Sequence, residues 1–179
     1  VEATDLNFAD ILQCQGSYQI KQVPPFTPGM NATGTVLDAN PNLGFAIGKR
    51  IVGPTVGPYG GYAEEALLLG ERSHGVPDEL DAVSAIGAHV THGTAWFALH
   101  QRGKVQPGET VLVLAAAGGV GSAAVQMASS FGCWVAAAAA GEQKTAFCHE
   151  LGADLVIDYD SDDLYQEIMD ATDGRGVDI

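Results

Sequence analysis

The chain has 179 residues, with 8 Lys and Arg against 22 Asp and Glu, for a formal charge of −14. That excess of acid repels phosphates and so excludes non-specific binding to nucleic acid or to an anionic membrane. Hydrophobic residues make up 46% of the sequence, enough to bury a core and to exclude disorder. No apolar run approaches the roughly 20 residues of a membrane-spanning helix.

The length suits one domain, or one and part of another. The cysteines Cys14, Cys133 and Cys148 are odd in number and widely separated. They suit neither a disulfide framework nor a four-thiolate zinc site, and they fit a reducing compartment, the cytoplasm. The acidity reads as a solvated surface rather than as adaptation to salt. The chain opens at Val1 without a methionine and stops at Ile179 inside an apolar run, so the expectation is a piece of a longer protein.

Residues 1–70 are dense in Gly and Pro and carry short apolar runs at 32–39, 50–52 and 62–69. Pro24-Pro25, Pro28-Gly29 and Gly60-Gly61 punctuate them, the pattern of a mainly β region with irregular loops. One short helix fits residues 7–13, where Phe8, Ile11 and Leu12 recur at helical spacing. From Pro77 the texture changes. Asp78 and Asp81 sit near the start of a helical pattern that reaches Gly103, with Gly93 as a candidate break.

After Pro107-Gly108 strand and helix alternate. Strands are predicted at 110–115, 134–139 and 155–157. Helices are predicted from the Gly-rich turn through Ser130, at 142–151 and at 162–171, and a fourth strand starts at Val177. Such alternation predicts a parallel sheet with helices on its faces, because parallel strands need crossover connections. The alanines at 136–140 are helical by propensity, but their place between Val135 and Gly141 argues for a strand buried on both sides. The predicted organisation is a β-rich domain over 1–76, an interdomain helical segment over 77–103 and a nucleotide-binding domain over 104–179.

The strongest local signal is the run Val111-Leu112-Val113-Leu114-Ala115-Ala116-Ala117-Gly118-Gly119-Val120-Gly121. As a dinucleotide fingerprint it places Ala116, Gly118 and Gly121 at the three glycine positions. Gly118 would let the backbone approach a diphosphate, and Gly121 would allow close contact between helix and strand. The helix that follows offers free N–H groups and the positive end of its dipole. The alternative is a plain tight turn, and the flanking strand, helix and further βα repeats argue against it. At the end of the second strand an NAD site carries an acidic residue, whereas this chain has Ala138, Ala139 and Ala140. Lys144 just beyond could meet a 2′-phosphate, which favours NADPH over NADH. Glu142 as a displaced ribose ligand, and Lys144 as a solvated residue, stay open.

Further motifs extend the pattern. Gly108-Glu109, Leu112, Ala116-Ala117-Gly118-Gly119, Gly121, Gln126 and Ser129 together resemble the quinone oxidoreductase signature of the medium-chain dehydrogenase/reductase superfamily. Asn7-Phe8-Ala9-Asp10-Ile11-Leu12, Gln15-Gly16-Ser17-Tyr18 and Pro25-Phe26-Thr27-Pro28-Gly29-Met30 agree with it. So do Gly60-Gly61-Tyr62-Ala63-Glu64, Gly93-Thr94-Ala95 and Leu151-Gly152-Ala153-Asp154. The chain looks closest to the zinc-free, zeta-crystallin-like branch, with crotonyl- or acrylyl-CoA-type reductases as near relatives.

This resemblance implies an α/β architecture: a partial GroES-like β-rich domain beside the first half of a doubly wound Rossmann sheet, with NADPH in the cleft. It also implies a homodimer in a parent about twice as long, and a small-molecule quinone or enone as substrate. The cofactor-binding residues it implies are Asn7 and Thr94 at the nicotinamide end and Ala117, Gly118, Gly119, Val120 and Gly121 at the diphosphate. Lys144 would take the 2′-phosphate and Tyr159 the adenosine end. Three positions depart from the family pattern. Leu12 stands where some members have a Tyr, Gly141 where a Ser or Thr is frequent, and Asn31 where an acidic residue is common.

Zinc-dependent members hold their metal with Cys and His, where this chain has Met30-Asn31 and Ala9-Asp10. Cys14 has no partner at metal spacing, so no zinc is expected. His74, His89, His92, His100 and His149 form no metal pattern, although His89 and His92 share a helical face. No Gly-x-Ser-x-Gly elbow is present. No residue is singled out as catalytic, since hydride transfer to a quinone or enone needs little proton chemistry from the protein. Asp10 reads as a charge at a helix N-terminus or as a positioning residue. A non-catalytic NADPH-binding role of the crystallin type remains the alternative from a different class.

Overall fold

The computed structural model describes all 179 residues. The chain divides into two compact units, Val1–Val90 and Thr91–Ile179, and the helical segment expected over 77–103 is shared between them.

In the first unit, α1 (Phe8–Cys14) precedes a three-stranded antiparallel sheet of β1 (Asn31–Thr35), β2 (Arg50–Pro54) and β3 (His74–Gly75), in that order. Ala3 bridges to Thr33 on the other edge of β1. The run at 62–69 makes no strand of its own. It keeps only an isolated bridge from Leu68 to Thr55, because residues 60–62 fold back on 27–29. Gly60 donates to the Thr27 carbonyl at 3.1 Å and Gly61 to that of Gly29 at 2.8 Å. The unit closes with α2 (Ala82–Gly87), capped by Asp81, whose carboxylate accepts the Ser84 N–H at 2.9 Å. Its apolar core is small: Val52, Val76, Ala85 and Ile86, with Ala3 against them.

In the second unit Gly93 is no break. It opens α3 (Gly93–Trp96), with π-helical turns at Ala88–His92 before it and Phe97–Gly103 after it. Lys104, in the left-handed region at φ 54°, ends the helical run. Then follow β4 (Thr110–Leu114), α4 (Gly119–Ser130), β5 (Trp134–Ala139), α5 (Glu142–Glu150), β6 (Leu155–Asp158) and α6 (Leu164–Ala171). The three strands are parallel in the order β4-β5-β6.

Side chains alternate across this sheet, as the pleat requires. Val111, Val113, Val135, Ala137 and Ala139 join Val125, Ala128 and Cys148 of α4 and α5 in one cluster. Ala136, Ala138 and Ile157 join Ile168 of α6 in another, with Leu112, Trp134 and Val177 beside them. The alanine run is therefore a strand covered on both faces.

The start of the expected fourth strand lies against β4. Asp178 donates to the Thr110 carbonyl at 2.9 Å, and Leu112 donates to the Ile179 carbonyl at 2.8 Å. Trp134 of β5 instead donates to the Glu109 carbonyl at 2.9 Å. Alternate residues of a strand point their backbone groups to opposite edges, so residues 178–179 occupy the edge of β4 that β5 leaves open. The winding goes outward through β5 and β6, crosses by α6 on the opposite face, and returns to the far side of β4. That reversal is the topological switch point, where open α/β sheets bind ligands at the carboxyl ends of their strands.

Candidate cofactor site

At the carboxyl end of β4 the backbone turns sharply. Ala115 takes φ 50°, and the Ala116 N–H donates to the Ala138 carbonyl at 3.0 Å. Gly118 then precedes α4 with no side-chain cap, so the amides of the first turn face outward without an acceptor from a capping residue. The Ser122 hydroxyl donates to the Gly119 carbonyl at 3.1 Å.

Gly121 is where helix and strand come closest. A Cβ there would meet the Ala115 carbonyl oxygen at 2.4 Å and the Ala116 Cα at 2.8 Å. A Cβ on Gly118 would stand 3.2 Å from the same oxygen, and one on Gly119 would stand 3.0 Å from Thr91 Cγ2. The three glycines thus let the α4 N-terminus sit tight against β4 and α3. Geometry, dipole and open donors fit a diphosphate.

The neighbouring strand ends converge on this turn. Tyr159, directly after β6, accepts the Ala115 N–H on its hydroxyl at 2.8 Å, across β5. Asp158 holds the β5–α5 turn: its Oδ1 accepts the N–H groups of Gly141 at 2.9 Å and Asp160 at 3.0 Å. Those backbone bonds hold the Asp158 carboxyl below the usual carboxylate range. Gly141 has φ 83°, which explains why no Ser or Thr stands there. Lys144 is exposed in the first turn of α5, beside Glu142. Ala117, Gly118, Gly119, Val120, Gly121, Lys144 and Tyr159 are therefore brought to one end of one sheet. Thr94 is exposed on α3, whose neighbour Thr91 backs Gly119.

Asn7 belongs to the first unit, immediately before α1. Its N–H donates to Asp10 Oδ2 at 2.9 Å, and its side-chain amide donates to Asp5 Oδ2 at 2.7 Å. Asp10 is more than a helix-end charge. It is 1% exposed, and its other oxygen accepts the Met30 N–H at 2.8 Å, which ties α1 to the approach of β1. Burial pushes the Asp5 carboxyl up. The Tyr62 phenol is pushed up to about 12 by burial and by the nearby charges of Asp10 and Asp5. Spacing does not signal Asp158, Asp5 or the Tyr159 hydroxyl as site-building groups, because each has a partner far away in sequence: Gly141, Asn31 and Ala115.

No three His, Cys, Asp or Glu side chains group so as to hold a metal ion. His89 lies 6.3 Å from His74 by ring centroids, and burial, then His74, push its pKa down. The three thiols are free; Cys133 and Cys148 are buried, which raises their pKa values. No helix is long and apolar enough to cross a membrane.

Residues 1–79 match the alcohol dehydrogenase GroES-like domain, and residues 119–179 match the zinc-binding dehydrogenase family. A quinone oxidoreductase-like protein 2 homolog from Nematostella vectensis is 36% identical over 181 residues, covering 100% of this chain and 49% of that protein. A 2-haloacrylate reductase from a Burkholderia species is 34% identical over 159 residues, covering 87% and 47%. The quinone oxidoreductase of Thermus thermophilus, solved also in complex with NADPH, superposes with a TM-score of 0.73 at 36% identity. The match covers 97% of this chain and 52% of the Thermus one. The chain spans about half the length of the curated relatives it matches.

Proposed function

The chain belongs to the quinone oxidoreductase-like branch of the medium-chain dehydrogenase/reductase superfamily, and from that premise we propose a zinc-independent oxidoreductase that uses NADPH to reduce a quinone or an α,β-unsaturated carbonyl. The observation that carries this reading is the uncapped α4 N-terminus at the switch point, pressed onto β4 by Gly121. The donors present do not fit zinc, despite the wording of one matched family: Met30-Asn31 and Ala9-Asp10 offer no Cys or His.

When bound, NADPH supplies the hydride. The amides of Gly119, Val120 and Gly121 hold the diphosphate, and Tyr159 fixes the turn from which they project. Lys144 faces the 2′-phosphate as a point charge. By family likeness, Asn7 and Thr94 hold the nicotinamide end. Solvent supplies the proton that completes a hydroquinone or a saturated carbonyl. The free thiols fit a cytoplasmic protein, and family likeness points to a homodimer acting on small molecules. The similarity to 2-haloacrylate reductase favours a second reading within this chemistry, an acrylate- or enoyl-type acceptor.

The test follows NADPH oxidation with phenanthrenequinone, a simple enone and an enoyl-CoA in parallel. Turnover of the first supports a quinone reductase; turnover of the last two alone supports the second reading. Tight NADPH binding with no turnover would leave a crystallin-like binding role. Lys144→Ala is expected to weaken NADPH by roughly fivefold to tenfold and leave NADH unchanged, measured by titration. NADH binding more tightly than NADPH before the substitution would refute the 2′-phosphate assignment.

A further inference from the structure

Between Lys104 and Arg175 the sequence holds one Lys or Arg, Lys144. No side-chain hydroxyl stands beside it at the N-cap of α5, because position 141 is glycine. A preference for a 2′-phosphate over a hydroxyl at this sheet end therefore rests on a single cation. Its ammonium is a point charge on a flexible stem, so the place of its backbone decides how well it meets a fixed phosphate.

The start of α5 is poorly fixed from within. Gly141 has no side chain to cap the first turn and takes φ 83° and ψ 154°, a conformation that glycine enters freely and leaves as freely. The restraint comes from the neighbouring strand. Asp158 Oδ1 accepts the Gly141 N–H at 2.9 Å, and the Gly141 carbonyl accepts the N–H groups of Lys144 and Thr145, each at 3.1 Å. Two hydrogen bonds with one residue between them thus connect the Asp158 carboxylate to the Lys144 backbone. Asp158 is itself held. Its N–H donates to Asp162 Oδ2 at 2.8 Å, its carbonyl accepts the Asp162 N–H at 2.9 Å, and its Oδ1 also accepts the Asp160 N–H at 3.0 Å.

We propose that Asp158 is a positioning residue for cofactor choice: through Gly141 it fixes the first turn of α5, so that Lys144 meets the 2′-phosphate of NADPH. This rests on the reading of Lys144 given above and lies wholly within the second unit. By charge alone a carboxylate opposes a nearby phosphate. The benefit of Asp158 therefore comes from its acceptor oxygen, and the two effects can be separated.

Asp158→Ala and Asp158→Asn both remove the charge, but Asn keeps an oxygen able to accept both N–H groups. The difference between them reads the acceptor alone. By titration, Asp158→Ala should bind NADPH about threefold to tenfold more weakly than the unsubstituted protein, and NADH as before. Asp158→Asn should bind NADPH at least as well as the unsubstituted protein. Added to Lys144→Ala, the Asp158→Ala change should cost nothing more, because the cation it positions is already gone. Equal losses for NADPH and NADH in Asp158→Ala, up to loss of both, would mark a merely structural residue and overturn the proposal. So would an Asp158→Asn as weak as Asp158→Ala, independent losses in the double variant, or a neutral Asp158→Ala beside an impaired Lys144→Ala. A neutral Lys144→Ala overturns the 2′-phosphate reading and this proposal together, and that outcome tells the two failures apart.

Discussion

In the second unit the buried side chains alternate along three parallel strands and feed two apolar clusters, one on each face of the sheet. In the first unit the apolar cluster is small, and of the five buried polar residues four (Asp10, Asn31, Thr33 and Ser73) lie there. The first unit therefore relies on buried polar side chains: Asp10 and Ser73 meet backbone groups of its loops, Thr33 meets a carbonyl of β2 and Asn31 meets Asp5, whereas the second unit relies on repetitive burial. A side-chain clamp is specific to its two ends, so losing it orphans buried groups; a repetitive core is tolerant except where elements nearly touch.

Asp10→Ala tests the first half of that contrast. It strands the N–H groups of Asn7 and Met30, at a cost of about 1–3 kcal/mol for each that stays buried. Urea denaturation followed by amide exchange in residues 1–90 would measure it, and a loss below the cost of one such group would break the contrast. Gly121→Ala probes the point of closest approach in the second unit. Its Cβ meets backbone atoms that cannot rotate away, so about 1–3 kcal/mol should be lost, and NADPH binding with it. Both tryptophans, Trp96 and Trp134, lie in this unit, so their fluorescence reports its unfolding.

Tyr159→Phe is milder. It removes one acceptor, of the Ala115 N–H, and keeps the ring, so about 0.5–1.5 kcal/mol of the grip on the diphosphate turn should go. Equal NADPH affinities for Phe and Tyr at this position would show that the ring alone matters.

Acid should act with opposite sign through two carboxylates, Asp178 of the second unit and Asp5 of the first. In the second, the Thr110 N–H and hydroxyl, then Arg175, hold the Asp178 carboxyl down at about 2. Its stabilising contribution is complete above the unfolded value of 3.8 and is lost as pH falls towards about 2. In the first, burial raises Asp5 above 3.8, so the folded state takes up that proton more readily and gains relative stability as pH falls through the raised value. Denaturation midpoints of Asp178→Asn and Asp5→Asn across acid pH should each lose one of these opposed trends.

The two units differ in the same way in how far they can be read from the chain. The turn from Ala115 to Gly121 is legible because strand, glycines and helix are contiguous, and the alanine strand is legible from its neighbours. The run at 62–69 is not, since its fate depends on hydrogen bonds to residues 27–29 that no periodicity reveals. Asp10 reads from sequence as a helix-end charge, but its second partner, Met30, is 20 residues away. Tyr159 reads from sequence only as a residue after a predicted strand, while its bond to Ala115 spans 44 residues.

Residue order alone determined the alternation of strand and helix and the open turn before α4, because each depends on neighbours within a few positions. Only the tertiary structure decided that residues 178–179 return to the free edge of β4, that Asp158 and Tyr159 brace the turns beside it, and that Asp5 meets Asn31. Periodicity records which face of an element is buried, but the partner that meets a given hydrogen-bonding group is chosen by strand order and loop closure.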